Sequence, residues 1–285
     1  MILTNHHAHS TFSDGKAPPE DFLLRAIERG FTTYGFSDHA PLLIPNFGIM
    51  QGEQLAPYLA EVDRLRATYA DRIEVFKSLE VDYVPGVLNV NTPHIAAAGL
   101  DYTVGAVHYL ETLDGYPWSF QRPEPSFSRG IDEIFGGSAR AMVERYFELV
   151  REMVQTHPPD IVAHLDRIKK RNPEGDYWDE RADWFEAEVD RTLAVIKRAG
   201  CILEVNTRGI YKEARTETYP SRWIVERAHA LGIPLQVNSD AHEVENIDGG
   251  FDFAYGMLRE LGVAEVMVFR GGRFVPLQLS SSPPA

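Results

Sequence analysis

Two stretches decide the fold: Arg191–Val205, RTLAVIKRAGCILEV, and Ser221–Val237, SRWIVERAHALGIPLQV. Each runs from an amphipathic segment through Ala-Gly or Leu-Gly into a short apolar run. Glycine just past the last periodic residue is a helix stop. The runs Ile202–Val205 and Pro234–Val237 lack polar alternation, as expected for strands covered on both faces. The same alternation recurs outward. Strand-like runs fall at Met1–Thr4, Thr32–Phe36, Ile73–Val81, Tyr102–Val107 and Ile161–Ala163. Helical patterns lie at Glu53–Tyr69, Gly137–Gln155, Asp179–Ala199, Ser221–Leu231 and Phe251–Leu261. Another opens at Pro18-Pro19-Glu20-Asp21, with residues suited to a first turn, and closes at Gly30. Seven such alternations predict an α/β chain folded as a closed or nearly closed parallel barrel. Glu265–Leu279 reads as a C-terminal hairpin around Gly271-Gly272, and residues 280–285 as a frayed tail. Glu111–Gly136, rich in proline and glycine, breaks the rhythm and reads as an inserted, lid-like loop. No linker divides residues 1–279, so one domain is expected.

Composition narrows the class. The 285 residues include 42 acidic and 28 basic side chains, a formal net charge of -14. That balance speaks against a nucleic-acid or anionic-membrane partner. The single cysteine, Cys201, excludes an intrachain disulfide and a cysteine-rich zinc module. No run approaches the length of a membrane span, and the first residues lack the pattern of a secretory signal, so a cytoplasmic location is expected.

Six of the ten histidines stand at or just past predicted strand ends: His7, His9, His39, His108, His164 and His242. Three carboxylates share that placement: Asp14, Glu80 and Asp240. In a parallel barrel all strand C-termini open on one face, so these remote residues converge there. His7 and His9, two apart on extended backbone, point the same way, and Asp240 and His242 repeat the spacing. Mixed imidazole and carboxylate donors suit zinc, iron or manganese better than calcium. Nine are too many for one ion and fit two or three. Asp38 and Asp82 are candidates for orienting ligating imidazoles. His6, His94, His157 and His229 read as structural or solvent-facing, and Cys201 as a small core residue.

With these residues in place the chain resembles the PHP phosphoesterase superfamily, and within it the monofunctional histidinol-phosphate phosphatases. The resemblance rests on HHAHS (6–10), SDH (37–39), LEVDYVPG (79–86), VGAVH (104–108), IVAHLDRIKK (161–170), LEVNTRGIYK (203–212), YPS (219–221) and NSDAH (238–242). It implies a distorted (β/α)7, TIM-like barrel with a trinuclear metal centre. His7, His9, Glu80 and Asp240 would hold one ion. Glu80, His108 and His164 would hold a second, and Asp14, His39 and His242 a third. Asn5 stands where the family often has Asp, which concerns one supporting contact.

The implied activity is metal-assisted hydrolysis of L-histidinol phosphate in histidine biosynthesis. Asp240 and His242 are the candidates for helping the proton reach the leaving alkoxide. For the phosphate, Arg208 and Lys169 are expected first, then Arg167 and Lys170. For the histidinol part, Trp118, Phe120, Tyr211 and Glu213 are candidates. Two other readings are weighed: a PHP esterase acting on nucleotides or other small phosphate esters, and a non-catalytic metal-binding scaffold. The -14 charge counts against a polyanionic partner, and the full ligand set counts against a scaffold that has lost its chemistry.

Overall fold

The computed structural model describes residues 3–44, 49–213 and 216–279. In chain order the strands are β1 (Thr4–Asn5), β2 (Thr33–Phe36), β3 (Glu74–Lys77), β4 (Glu80–Asp82), β5 (Val104–Ala106), β6 (Tyr109–Leu113), β7 (Tyr116–Ser119), β8 (Ile161–Val162), β9 (Ile202–Asn206), β10 (Leu235–Asn238), β11 (Glu265–Arg270) and β12 (Arg273–Gln278). The helices are α1 (Pro19–Arg29), α2 (Leu55–Thr68), α3 (Pro93–Ala96), α4 (Ser126–Phe135), α5 (Ala139–Thr156), α6 (Asp183–Ala199), α7 (Arg208–Tyr211), α8 (Arg222–Ala230) and α9 (Phe251–Glu260). The expected start Met1–Ile2 and the tail 280–285 lie outside the described residues.

Two parallel sheets form, β1-β2-β3 and β10-β9-β8-β5-β4. Parallel bridges join them at both edges. Ala8, just past β1, pairs with Ala241, just past β10, and His39, past β2, pairs with Glu80. Backbone bonds reinforce both joints, His9 N–H to Ala241 O at 2.8 Å and Ala40 N–H to Glu80 O at 2.8 Å. The strand order thus runs in a ring, and the ring is knit at the strand C-termini.

Several expectations are corrected. The run Ile73–Val81 is two strands in different sheets. The chain leaves β2 after Lys77, steps across Ser78-Leu79, and joins β5 from Glu80. Tyr58 donates to the Ser78 carbonyl at 2.6 Å and holds this jog, which turns Glu80 toward the mouth. A continuous apolar run carries no sign of a change of pairing partner. The helix expected from Asp179 begins at Asp183, because the Asp179 carboxylate accepts the Arg181 N–H at 2.7 Å and makes a turn instead.

Glu111–Gly136 is no irregular loop. It holds the end of β6, the antiparallel β7 and α4. The hairpin turns at Asp114-Gly115, both with positive φ, 53° and 82°. Gly130 weakened the helical signal of α4, yet the position demands it. A Cβ there would lie 2.1 Å from the Trp118 ring. The hairpin β11–β12 forms as expected. Its Phe269 joins Phe76, Val104, Ile161 and Ile202 in an apolar cluster distinct from the main core. Three of these open their strands, so the cluster closes the end opposite the catalytic-type residues.

Candidate metal centre

All nine predicted ligands come together. Glu80 is the hub. Its Oε1 lies 2.9 Å from His164 Nε2 and 3.7 Å from His108 Nε2. Its Oε2 lies 3.1 Å from His39 Nδ1 and 3.5 Å from both His7 Nε2 and His9 Nε2. Asp240 Oδ1 lies 3.2 Å from His9 Nε2 and 3.8 Å from His7 Nε2. Asp14, on the turn after His9, faces His242 Nε2 at 3.1 Å, His9 Nδ1 at 3.6 Å and His39 Nε2 at 3.8 Å. Four overlapping donor groups result: His7, His9 and Asp240; His7, Glu80 and His164; His39, Glu80 and His108; and His9, Asp14, His39 and His242. The grouping is more continuous than the implied three-way division, because His9 turns one ring nitrogen to Asp240 and the other to Asp14.

The donors fit divalent ions. His7 Nε2, both His9 nitrogens, Asp14 Oδ1, His39 Nδ1 and His164 Nδ1 are buried and without a hydrogen-bond partner among the described residues. Buried polar atoms left unpaired are costly, so a convergent set of them describes a place for a cation. Burial pushes the Glu80 carboxyl up, yet His39, His7 and His108 around it hold it well below the usual range. Asp240 is likewise driven up by burial and held well down by His7 and Arg208. Both stay anionic, as ligands must.

The backbone is strained where it presents ligands. His164 and Asp240 have φ of 24° and 54°. Glu204, absent from the sequence-based candidates, secures this region. Its carboxylate accepts His7 Nδ1–H at 2.7 Å, His164 N–H at 3.0 Å and the Nδ2 groups of Asn206 and Asn238 at 3.0 Å each. With Nδ1 protonated, His7 Nε2 is left free to ligate. A lone acid inside the apolar run Ile202–Val205 was the available signal, since a buried charge needs partners. Asp82 orients His108 as expected, accepting Nδ1–H at 2.8 Å. Among the described residues Asp38 bonds to no imidazole. It binds Ser10 and Ser13 and so fixes the turn that carries Asp14. Asn5 braces Ser239 through bonds of 2.9 and 3.1 Å and also accepts the His7 backbone N–H at 3.5 Å.

A cavity of about 280 Å³ opens above the ligands, lined also by Tyr109, Arg122, Arg167, Lys170 and Arg208. Arg208 Nη1 donates to the Asp240 carbonyl at 2.8 Å and meets His242 Nδ1 at 2.5 Å. Arg167 is buried and held in place by Glu213 at 3.0 Å and by the Tyr219 ring, 4.8 Å away.

Two expected phosphate or substrate contacts are corrected. Lys169 is fully buried and does not line the cavity. Its ammonium binds Asp166 at 2.8 Å, Glu217 at 3.0 Å, Ser221 Oγ at 2.5 Å and Thr218 O at 3.2 Å. On a 3₁₀ turn, Arg167–Arg171, consecutive cations point to different sides, and Lys169 falls on the inner one. Trp118 is buried beside Phe127 and Gly130 and donates its indole N–H to Ser126 O at 3.2 Å, away from the ligands. Phe120 is buried with its ring edge-on to Tyr146. Tyr211 donates to Ser239 O and Asp240 O, and Glu213 serves Arg167, Lys170 and Tyr219.

Residues 5–208 match the PHP domain family, and the chain belongs to it. Asp240 and His242 lie beyond that span and are brought to the centre by β10. A relative from Deinococcus radiodurans, named "Probable histidinol-phosphatase", is 28% identical over 280 residues, 96% of this chain and 99% of its own. The histidinol-phosphatase of Bacillus subtilis is 26% identical over 268 residues, 88% of this chain and 98% of its own. The solved histidinol phosphate phosphatase of Lactococcus lactis, complexed with zinc, L-histidinol and phosphate, shares the fold. Its TM-score is 0.72 at 20% identity, covering 95% of this chain and 98% of that one.

Proposed function

We propose that this chain is a metal-dependent phosphate monoesterase whose substrate is L-histidinol phosphate, acting in cytoplasmic histidine biosynthesis. One observation carries the chemistry: buried, unpartnered imidazole nitrogens and two anionic carboxylates converge beneath Arg167 and Arg208. The substrate is supported by the relatives' names and by their coverage of nearly the whole chain.

His7, His9, Asp14, His39, Glu80, His108, His164, Asp240 and His242 hold two or three ions, zinc, iron or manganese by donor type. Such ions, when bound, polarise phosphoryl oxygens and acidify water near neutral pH. The protein's own groups do the rest. Arg167 and Arg208 take the phosphoryl oxygens and neutralise charge as it develops. His242 turns Nε2 to Asp14 at 3.1 Å, and that nitrogen is the one offered to an ion. Asp240 and His242, at the cavity floor, are placed to pass a proton toward the leaving oxygen. Residues 1–279 act as one unit, with the β6–β7 hairpin and α4 as a wall or lid over the site.

The test is phosphate release by the manganese- or zinc-loaded protein from L-histidinol phosphate and from nucleoside monophosphates. The reading expects histidinol phosphate to be preferred by at least about tenfold in kcat/KM. A preference for nucleotides by orders of magnitude overturns the substrate. Fewer than two ions per chain with no phosphate release favours a scaffold.

A further inference from the structure

The cavity is lopsided in charge. Every carboxylate lining it, Asp14, Glu80, Asp82 and Asp240, either belongs to the ligand cluster or braces it. Among the described residues the rest of the lining has no acid; beside Arg167 and Arg208 it is Ile49, Tyr109, Ser119 and Gln121 with Arg122 and Lys170. These two cations are poorly answered. Lys170 shares Glu213 with Arg167, at 3.6 Å, and among the described residues otherwise meets the neutral Gln121 Oε1 at 3.2 Å. Arg122 is exposed and forms no ion pair among the described residues. Burial and then the neighbouring Arg167 press the Lys170 ammonium down to about 8, the mark of cations crowded together.

A phosphoryl group placed on the metal ligands is met by Arg167 and Arg208. That leaves two further cations, Arg122 and Lys170, lining the same cavity. A second anion finds two partners. We propose that Arg122 and Lys170 form a subsite for a carboxylate, and that the protein also hydrolyses small phosphate monoesters bearing a carboxylate near the ester. The proposal rests on the phosphate-monoesterase reading and goes beyond its named substrate. In the step, water's oxygen bonds to phosphorus, the P–O ester bond breaks, and the leaving oxygen ends with the proton that water gives up. The carboxylate is unchanged.

The probes are O-phospho-L-serine and O-phosphoethanolamine, which share ester and ammonium and differ by one carboxylate. L-Histidinol phosphate is run beside them, all with the full chain loaded with manganese. The expected result is a kcat/KM about tenfold higher for phosphoserine than for phosphoethanolamine, the scale of one charge-assisted hydrogen bond. In Arg122→Gln and in Lys170→Gln that ratio falls toward one, and in the parent protein it shrinks with added salt. Equal turnover of the two probes, or a ratio untouched by both substitutions, overturns the subsite. Turnover of histidinol phosphate alone also overturns the subsite and leaves the parent reading standing. Failure of all three esters to release phosphate overturns the parent reading and the subsite with it.

Discussion

Lys169 and His9 are both sealed from solvent, at 0% and 1% exposure, and both sit among acids. Their surroundings differ in one respect. The Lys169 ammonium has a carboxylate, a second carboxylate, a hydroxyl and a carbonyl around it, and Asp166 also accepts two bonds from Ser221. Within that cluster the charges answer one another. Around His9, neither ring nitrogen has a hydrogen-bond partner among the described residues, and the neighbouring His7, His39 and His164 each leave a nitrogen unpaired. Two buried ionic clusters, some residues apart on the same mouth, thus have opposite requirements. The first already holds a cation among its acids and ties the segment Glu217–Ser221 to the basic turn. The second is complete only with added positive charge.

The comparison can be broken most directly at Glu80. Glu80→Ala is expected to lower phosphate release by about a thousandfold or more, since the residue touches five imidazoles. Far-UV circular dichroism should stay that of the parent protein. Parent-level activity in this variant ends the proposed centre.

Lys169→Met attacks the other cluster. Unfolding stability should fall by about 3–5 kcal/mol, because Asp166 is left buried and uncompensated. Metal content per chain should not change. Loss of bound metal in Lys169→Met would show that the two clusters are not independent.

Chelation sharpens the contrast. Removing metal should destabilise the protein, and zinc or manganese at a hundredfold excess over Kd should restore roughly 3 kcal/mol. Calcium should restore little, given the imidazole donors. Thermal unfolding with and without each ion reads this directly. No stabilisation by any transition ion would contradict the reading of the unpaired nitrogens.

A smaller effect concerns Lys170. Its depressed value of about 8 means that the ammonium loses its proton as pH rises through that range. Carboxylate binding then weakens, so KM for carboxylate-bearing phosphate esters such as O-phospho-L-serine should rise several-fold above about pH 8. Lys170→Gln should flatten that limb in a pH series of KM.

The smallest effect is at Cys201. Burial pushes its thiol up to about 11, so native protein at pH 8 should resist alkylation while unfolded protein reacts. Rapid native-state labelling would show that this strand opens.

Much of this was legible in sequence for definite reasons. Short apolar runs ended by Ala-Gly or Leu-Gly marked β9, β10 and the helices before them. Ionisable residues at the ends of such runs had no ready packing explanation, and all nine candidates converge. The cations were harder to assign. Arg167, Lys169 and Lys170 look alike in a basic run, and only the 3₁₀ turn separates two that face the cavity from one that faces Asp166. Trp118 looked like a lid residue because the helix it packs on was masked by the glycine that admits it. Glu204 stood in plain view inside an apolar run, but three of its four partners come from other segments.

The sequence by itself determined the alternation of elements, the donor types and their placement at strand ends, because periodicity and residue chemistry are local. Tertiary structure alone decided which cation meets substrate and which is consumed in a buried pair. It also decided where the chain jogs to aim Glu80 and which acid holds His7. Those outcomes depend on neighbours brought together by ring closure, and a charge is spent or available only according to what lies within a few ångströms of it.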